Sequence, residues 1–480
     1  MLTYSFENLG NTSLYEHLYN CIKKDILNGT LKKDEKLPSK RSLSKNLNIS
    51  VITIETAYGQ LMAEGYIYSL PKKGFYVSDL SEIMTSSGND KEYYTNANSS
   101  RHLDDSPNIY LQKQDDYFID LISNKTSPIN FPFSRWAYLL REVISEEGTN
   151  LLNNSPIGGI YELKSAITKH LKQFRGIDVS PDQVIIGAGT EYIYGLIIQL
   201  FSSDTVYAIE NPGHKKIFQI YDSHNVKCVH IPMNKDGVSI SELEVSGANI
   251  LHISPSHHFP TGIVTPISNR YKLLTLANKS PDRYIIEDDY DCEFRLQGNP
   301  IPSLKSIDSN GKVIYINTFS KSLSSTIRIS YMVLPPSLLK LFYEKLGFYS
   351  CTVSTFEQYT LAKFIEKGYF EKHINRQRTY FKNQRNRLLD IIMDSPIADK
   401  CTITEEDSGL HFLMKLKTKL NDKSIKRACD KKGIKLALLS EYYYDEHDIP
   451  KDAMSTIVFN YSGLDLEMLP KALEIINEII

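Results

Sequence analysis

Hydrophobic positions in the first eighty residues follow two periods in turn. From Ser13 to Gly29, Leu14, Leu18, Ile22, Ile26 and Leu27 recur at helical spacing and stop at Asn28-Gly29, a pair suited to a helix C-cap. Pro38-Ser39 opens a second short helix through Leu43 and Leu47. Asn48-Ile49-Ser50 then makes a turn whose serine can cap a third helix running to about Glu64. Beyond Gly65 the pattern changes to short strand-like runs, Tyr66 to Leu70 and Phe75 to Val77, around the basic turn Pro71-Lys72-Lys73-Gly74. Three helices and a hairpin are predicted.

From Ser81 to about Gln114 the chain turns polar, with Ser86-Ser87-Gly88-Asn89-Asp90 and Asn96-Ala97-Asn98-Ser99-Ser100, and neither period persists. So long a stretch without a period is unusual inside one compact domain and marks a boundary. After Tyr117, apolar runs such as Val184-Ile185-Ile186, Thr205 to Ile209, Tyr284-Ile285-Ile286 and Val313 to Ile316 alternate with longer helical patterns, the signature of an α/β fold. Leu469 to Ile480 reads as a terminal packed helix. The expected organisation is a domain over 1–80, a flexible linker over 81–114 and an α/β domain over 115–480.

Composition narrows the class without naming it. At 480 residues the chain exceeds what one core usually serves, so two or three folding units are expected. A 41% hydrophobic and 23% charged content is that of a folded soluble protein. The net charge of −2 offers no global attraction to phosphates, so any nucleic-acid contact must be local. The six scattered cysteines have no spacing that would hold zinc or frame disulfides. No apolar run reaches the roughly 18 residues of a membrane span, and Met1 to Glu7 lacks the start of a secretory signal, so a cytoplasmic protein is expected.

In the amino-terminal module, Ser13-Leu14-Tyr15-Glu16-His17-Leu18, Gly29, Leu37-Pro38-Ser39-Lys40-Arg41, Thr53, Ala57-Tyr58, Leu61, Glu64-Gly65-Tyr66 and Lys73-Gly74 together resemble the GntR family of bacterial regulators. That resemblance implies a winged helix-turn-helix with its last helix in the major groove of double-stranded operator DNA. Ser39, Lys40 and Arg41 sit at a helix start, where free backbone N–H groups and a guanidinium can clamp a phosphate. Ser50, Thr53 and Tyr58 are expected to face the groove, and Lys72, Lys73 and Gly74 to bring the wing tip to the backbone. The family usually places an arginine beside Ser50, where this chain has Val51.

The remainder carries a second set of motifs. Asn317-Thr318-Phe319-Ser320-Lys321-Ser322-Leu323 follows one apolar run and precedes Arg328, and Glu287-Asp288-Asp289-Tyr290 ends another in carboxylates that are costly to bury without a cation. With Gly158-Gly159, Arg175-Gly176, Glu210-Asn211-Pro212-Gly213 and Ser254 to Gly262, these segments resemble aminotransferases of fold type I, and the pairing of modules resembles the MocR subfamily of GntR regulators. The resemblance implies pyridoxal 5'-phosphate bound as a Schiff base to Lys321, Asp288 on the ring nitrogen and Tyr290 on the ring hydroxyl. It implies that the phosphate rests on Gly189, Thr190 and Glu191 at a helix start, with Ser320 and Arg328.

Two departures bear on function. Where the family has tyrosine and then arginine two residues on, this chain has His214, which can still stack on a pyridine ring, and Lys216, which can attract an effector carboxylate only as a point charge. Thr456 to Gly463, where aminotransferases usually present an arginine to the substrate carboxylate, contains none. The expectation is therefore a transcription regulator whose aminotransferase-like domain senses a small amino compound or the cofactor itself, with slow or vestigial turnover. A working aminotransferase with an accessory DNA module is the alternative. Fold type I relatives also imply a homodimer.

Overall fold

The structure is a computed structural model and describes residues 2–4, 6, 13–79, 117–122, 131–296, 301–406 and 409–480. The linker expected over 81–114 lies outside the described residues. The chain divides into two compact units, Met1–Gln114 and Asp115–Ile480.

The first unit holds α1 (Leu14–Leu27), α2 (Lys40–Leu47), α3 (Val51–Ala63) and a hairpin of β1 (Ile67–Leu70) and β2 (Gly74–Val77). The helix boundaries follow from their caps. Ser39 Oγ accepts from Ser42 N at 3.2 Å and Ser50 Oγ from Thr53 N at 3.1 Å, while Asn48 closes α2 in the left-handed region at φ 54°. Leu18, Ile22 and Ile26 of α1 meet Leu43, Ile54, Tyr58 and Leu61 in one core that Ile67 and Val77 of the hairpin complete.

In the second unit an eight-stranded sheet runs in the order β4 (Val184–Gly187), β11 (Ser330–Val333), β10 (Val313–Thr318), β9 (Tyr284–Asp288), β8 (Ile250–Ile253), β5 (Val206–Asn211), β6 (Lys227–Asn234) and β7 (Gly237–Val238). The middle of it, from β10 to β6, is parallel, and β11 is antiparallel to both its neighbours. The strands from β4 to β8 are buried on both faces, which is why they read as continuous apolar runs, whereas β6 is mostly half-buried or exposed. Ile314 and Ile316 of β10 enter one apolar cluster with Ile185 and Met332, while Tyr315 between them enters another with Ile186 and Tyr331. A smaller lobe pairs β12 (Cys401–Thr404), β13 (His411–Leu416) and β15 (Thr456–Asn460), and β3 (Ile119–Asp120) pairs with β14 (Ile434–Lys435). The terminal helix Leu469–Ile479 packs on this lobe through Leu469, Leu473 and Ile476. No helix among the described residues is long and apolar enough to cross a membrane.

Candidate functional site

Two regions gather the residues singled out by the sequence. In the first unit the start of α2, the exposed face of α3 and the wing tip carry them. Arg41, Ser50, Lys72 and Lys73 are exposed; Lys40 is half-buried, pairing with Glu55 at 2.6 Å and lying over the Phe75 ring. Lys72 and Gly74 both take positive φ, 62° and 115°, in the wing turn, and glycine meets the second without strain. Thr53 is half-buried, its hydroxyl 2.8 Å from Ser50 Oγ.

Tyr58 does not face the groove. It is 0% exposed and its hydroxyl donates to Pro38 O at 3.0 Å, tying α3 to the start of α2. The helical spacing of Ile54, Tyr58 and Leu61 places all three on the core stripe, a signal the family motif obscured. The positions that do project from the start of α3 are Val51 and Ile52, which the expected contact set omitted.

In the second unit the carboxyl ends of four strands meet around a cavity of ≈ 570 Å³. Ligands of open α/β sheets bind at such strand ends. β9 delivers Asp288 and Tyr290, β10 runs into the short helix Phe319–Ser322 that carries Ser320 and Lys321, and β5 leads through Asn211-Pro212-Gly213 to His214. β4 leads through Gly189 into the helix Thr190–Leu200. Thr190, Glu191, His214, Lys216, Asp288, Tyr290, Ser320, Lys321 and Arg328 all line the cavity. Gly189 sits beside it at φ 92°, where an added Cβ would stand 2.5 Å from an Arg328 Nη atom. Glycine is needed there both for the turn and for the close approach of the guanidinium.

The carboxylate cluster at the end of β9 is divided among different partners. Glu287 accepts backbone N–H bonds from Leu304 and Lys305 at 2.7 and 2.8 Å. Asp289 receives Arg175 at 2.6 Å and the Tyr315 hydroxyl at 2.7 Å, in a pair only 2% and 1% exposed. Asp288 alone faces the cavity. Its Oδ2 accepts from the Tyr194 hydroxyl and lies 3.6 Å from His252 Nε2, whose ring is held through Nδ1 by Tyr221 at 2.7 Å. Its Oδ1 is buried with no hydrogen-bond partner among the described residues, a costly state for a carboxylate oxygen unless a bound donor completes it.

Burial pushes the Lys321 amine down to about 8, with Asp291 pulling the other way. His214 is held below the usual imidazole range by burial and by the Lys321 cation, and its Nδ1 accepts from Lys216 N at 3.2 Å to cap the helix Lys215–Ser223. Tyr290 places its hydroxyl 3.3 Å from His257 Nδ1, and the same nitrogen is 2.7 Å from Asp291. Lys216 is not a free cation: its Nζ pairs with Glu191, whose other oxygen lies 3.6 Å from an Arg328 nitrogen. The lysine and hydrogen bond hold the Glu191 carboxyl below the ordinary range. Nothing along the chain assigns roles in the site to Tyr194, His252, Tyr221 or Arg175. Arg175 had a signal, since buried carboxylates demand a cation, but nothing along the chain says which one folds onto them.

Residues 14–77 match the family described as bacterial regulatory proteins, gntR family, and residues 119–473 match aminotransferase class I and II. The chain is 34% identical to the HTH-type transcriptional regulator YdeL of Bacillus subtilis, over 92% of each chain. It is 29% identical to the probable rhizopine catabolism regulatory protein MocR of Rhizobium meliloti, over 94% of this chain and 90% of that one. The chain is a GntR-family regulator of the MocR type. Among solved structures, Pyrococcus horikoshii kynurenine aminotransferase shares its fold at a TM-score of 0.67 and 24% identity, covering 82% of this chain and 98% of that one. The MocR-type regulator thus joins a DNA-binding winged helix to a fold whose class is pyridoxal-phosphate-dependent, and it is a regulator rather than a dedicated enzyme.

Proposed function

We infer that this regulator holds pyridoxal 5'-phosphate in the large unit's cavity with Lys321 bonding its aldehyde, and that occupancy by the cofactor or by a small amino compound governs its hold on operator DNA. The observation that carries this reading is the orphaned Asp288 Oδ1 in the same cavity as a lysine whose amine is pushed down to about 8. A buried acceptor suited to a ring N–H and a half-buried amine suited to an aldehyde fit the two ends of that cofactor's chemistry. When bound, the cofactor supplies an electron-withdrawing ring. Asp288, held by Tyr194 and His252, takes the ring N–H, His214 offers a flat face, and Tyr290 offers its hydroxyl. Thr190 and Glu191 present backbone N–H groups at a helix start, Gly189, whose own N–H is taken by Gly187 O at 2.9 Å, lets the chain pass close to the site, and Ser320 and Arg328 add a hydroxyl and a guanidinium for the phosphate.

The lining supports sensing over rapid turnover. Arg328 is the one arginine among the described lining residues, and β15 is buried throughout and carries none, so the described lining offers no second fork to a substrate carboxylate. The working form is a cytoplasmic homodimer whose two modules match two half-sites. Exposed Phe133, Leu152, Tyr161 and Phe348 on the large unit support a partner surface, and six free thiols support a reducing compartment.

The visible absorption spectrum of the purified protein with added pyridoxal phosphate tests the reading, with Lys321→Ala beside it. A visible band in the wild type that is absent from Lys321→Ala is expected, and an amine that shifts the band should change operator affinity. No band at saturating cofactor overturns the sensor.

A further inference from the structure

Val51 and Ile52 open the third helix of the first unit, and the site in the large unit does not use them. Val51 and Ile52 form the first turn of α3 and are 40% and 74% exposed, and Ile52 is the most exposed large apolar side chain of the first unit among the described residues. The two are neighbours, so a partner that covered both would gain by removing their apolar surface from water.

The polar groups around them are already engaged. Ser50 Oγ accepts from Thr53 N and lies 2.8 Å from the Thr53 hydroxyl; Thr56 donates to Ile52 O at 3.0 Å. Glu55 is taken by Lys40 at 2.6 Å, and Gln60 donates to Glu64 at 2.6 Å. What the start of α3 offers outward is therefore a pair of aliphatic side chains, while Arg41 at the start of α2 and Lys72 and Lys73 of the wing are exposed and suit a phosphate backbone. The first residues of a recognition helix are those that meet base edges in the major groove. In that groove only thymine presents a methyl group of its own.

We propose that Val51 and Ile52 are specificity-determining residues that read thymine methyl groups at defined operator positions. This rests on the DNA-binding role of the first unit. Its partner is duplex DNA with thymine at one or two fixed positions in each half-site. A shape-reading or phosphate-reading helix would have no need of those methyls.

Selection of binding sites from random duplex DNA by the full-length protein supplies a site, and each thymine in it is then replaced by deoxyuridine, which removes only the methyl. At the read positions the exchange should weaken wild-type binding about fourfold per methyl, and in Ile52→Ala or Val51→Ala it should have no further effect at the corresponding position. Both side chains are exposed, so the variants keep the core, and an unchanged melting temperature verifies this. Lys73→Ala should weaken binding to all sites while leaving the thymine-to-deoxyuridine ratio intact. A site with no methyl-sensitive thymine, or a methyl effect that persists in both alanine variants, overturns the proposal. Selection that yields no preferred sequence removes the DNA-reading role on which it rests, a result distinguishable from either.

Discussion

At the scale of single residues, environment decides what each motif residue does. Lys321 is held near pKa 8 because burial penalises its charged form. Its folded-state pKa lies below that of a free lysine, so the neutral, nucleophilic amine gains as pH rises through that value. Pyridoxal phosphate capture by the cofactor-free protein should accelerate about tenfold from pH 7 to 9 and level off above, as stopped-flow absorbance would show. A rate that keeps climbing past pH 10 would mean an ordinary exposed amine. Tyr58 shows the converse: its place in the family motif suggested DNA, whereas its spacing with Ile54 and Leu61 puts it in the core. Asp288 and Asp289 are neighbours in sequence with opposite fates, because successive residues leaving a strand point to opposite sides. Asp289 is neutralised by Arg175, and Asp288, which lines the cavity, keeps a buried oxygen without a hydrogen-bond partner among the described residues.

At the scale of elements, local chemistry was most legible where one side chain closes one backbone group. Ser39 and Ser50 begin their helices, and Asn48 ends one, as the sequence indicated. The wing is equally local: two strands of four residues around a turn that needs positive φ at Lys72 and Gly74. Its lysines project into solvent, so any part they take in DNA binding is electrostatic. Lys72→Ala and Lys73→Ala should each reduce the slope of log affinity against log salt by about one and weaken all sequences alike, as titrations at several salt concentrations would record. An unchanged slope would place the wing off the phosphates. The helix Lys215–Ser223 was harder to read. Lys216 looked available to a ligand carboxylate, but Glu191 lies on another helix 25 residues earlier, and only the packed structure brings the two together.

For the whole molecule, ties between distant segments set the cavity. Arg175, at the end of the helix Tyr161–Arg175, holds Asp289 after β9, Ser256 at 3.2 Å and Ile301 O at 2.6 Å. Arg175→Ala leaves Asp289 buried without its cation and should cost about 3–5 kcal/mol in the large unit. Denaturant unfolding should show that loss in the large unit's transition, with the first unit, whose core is separate, unmoved; a shift below about 1 kcal/mol would show that water replaces the guanidinium. By itself the sequence determined the two-part organisation, the helix caps, the wing, the run of apolar strands alternating with helices and the lysine that ends one of them. Each of these depends on residues close together in the chain, where periodicity and backbone hydrogen bonding act directly. Tertiary structure decided which carboxylate faces the cavity, which cation neutralises its neighbour, that Lys216 is engaged, and that Val51 and Ile52 rather than Tyr58 project from α3. Those outcomes depend on which surfaces pack together, and burial changes the energy of a charge or a methyl group only once the fold has closed around it.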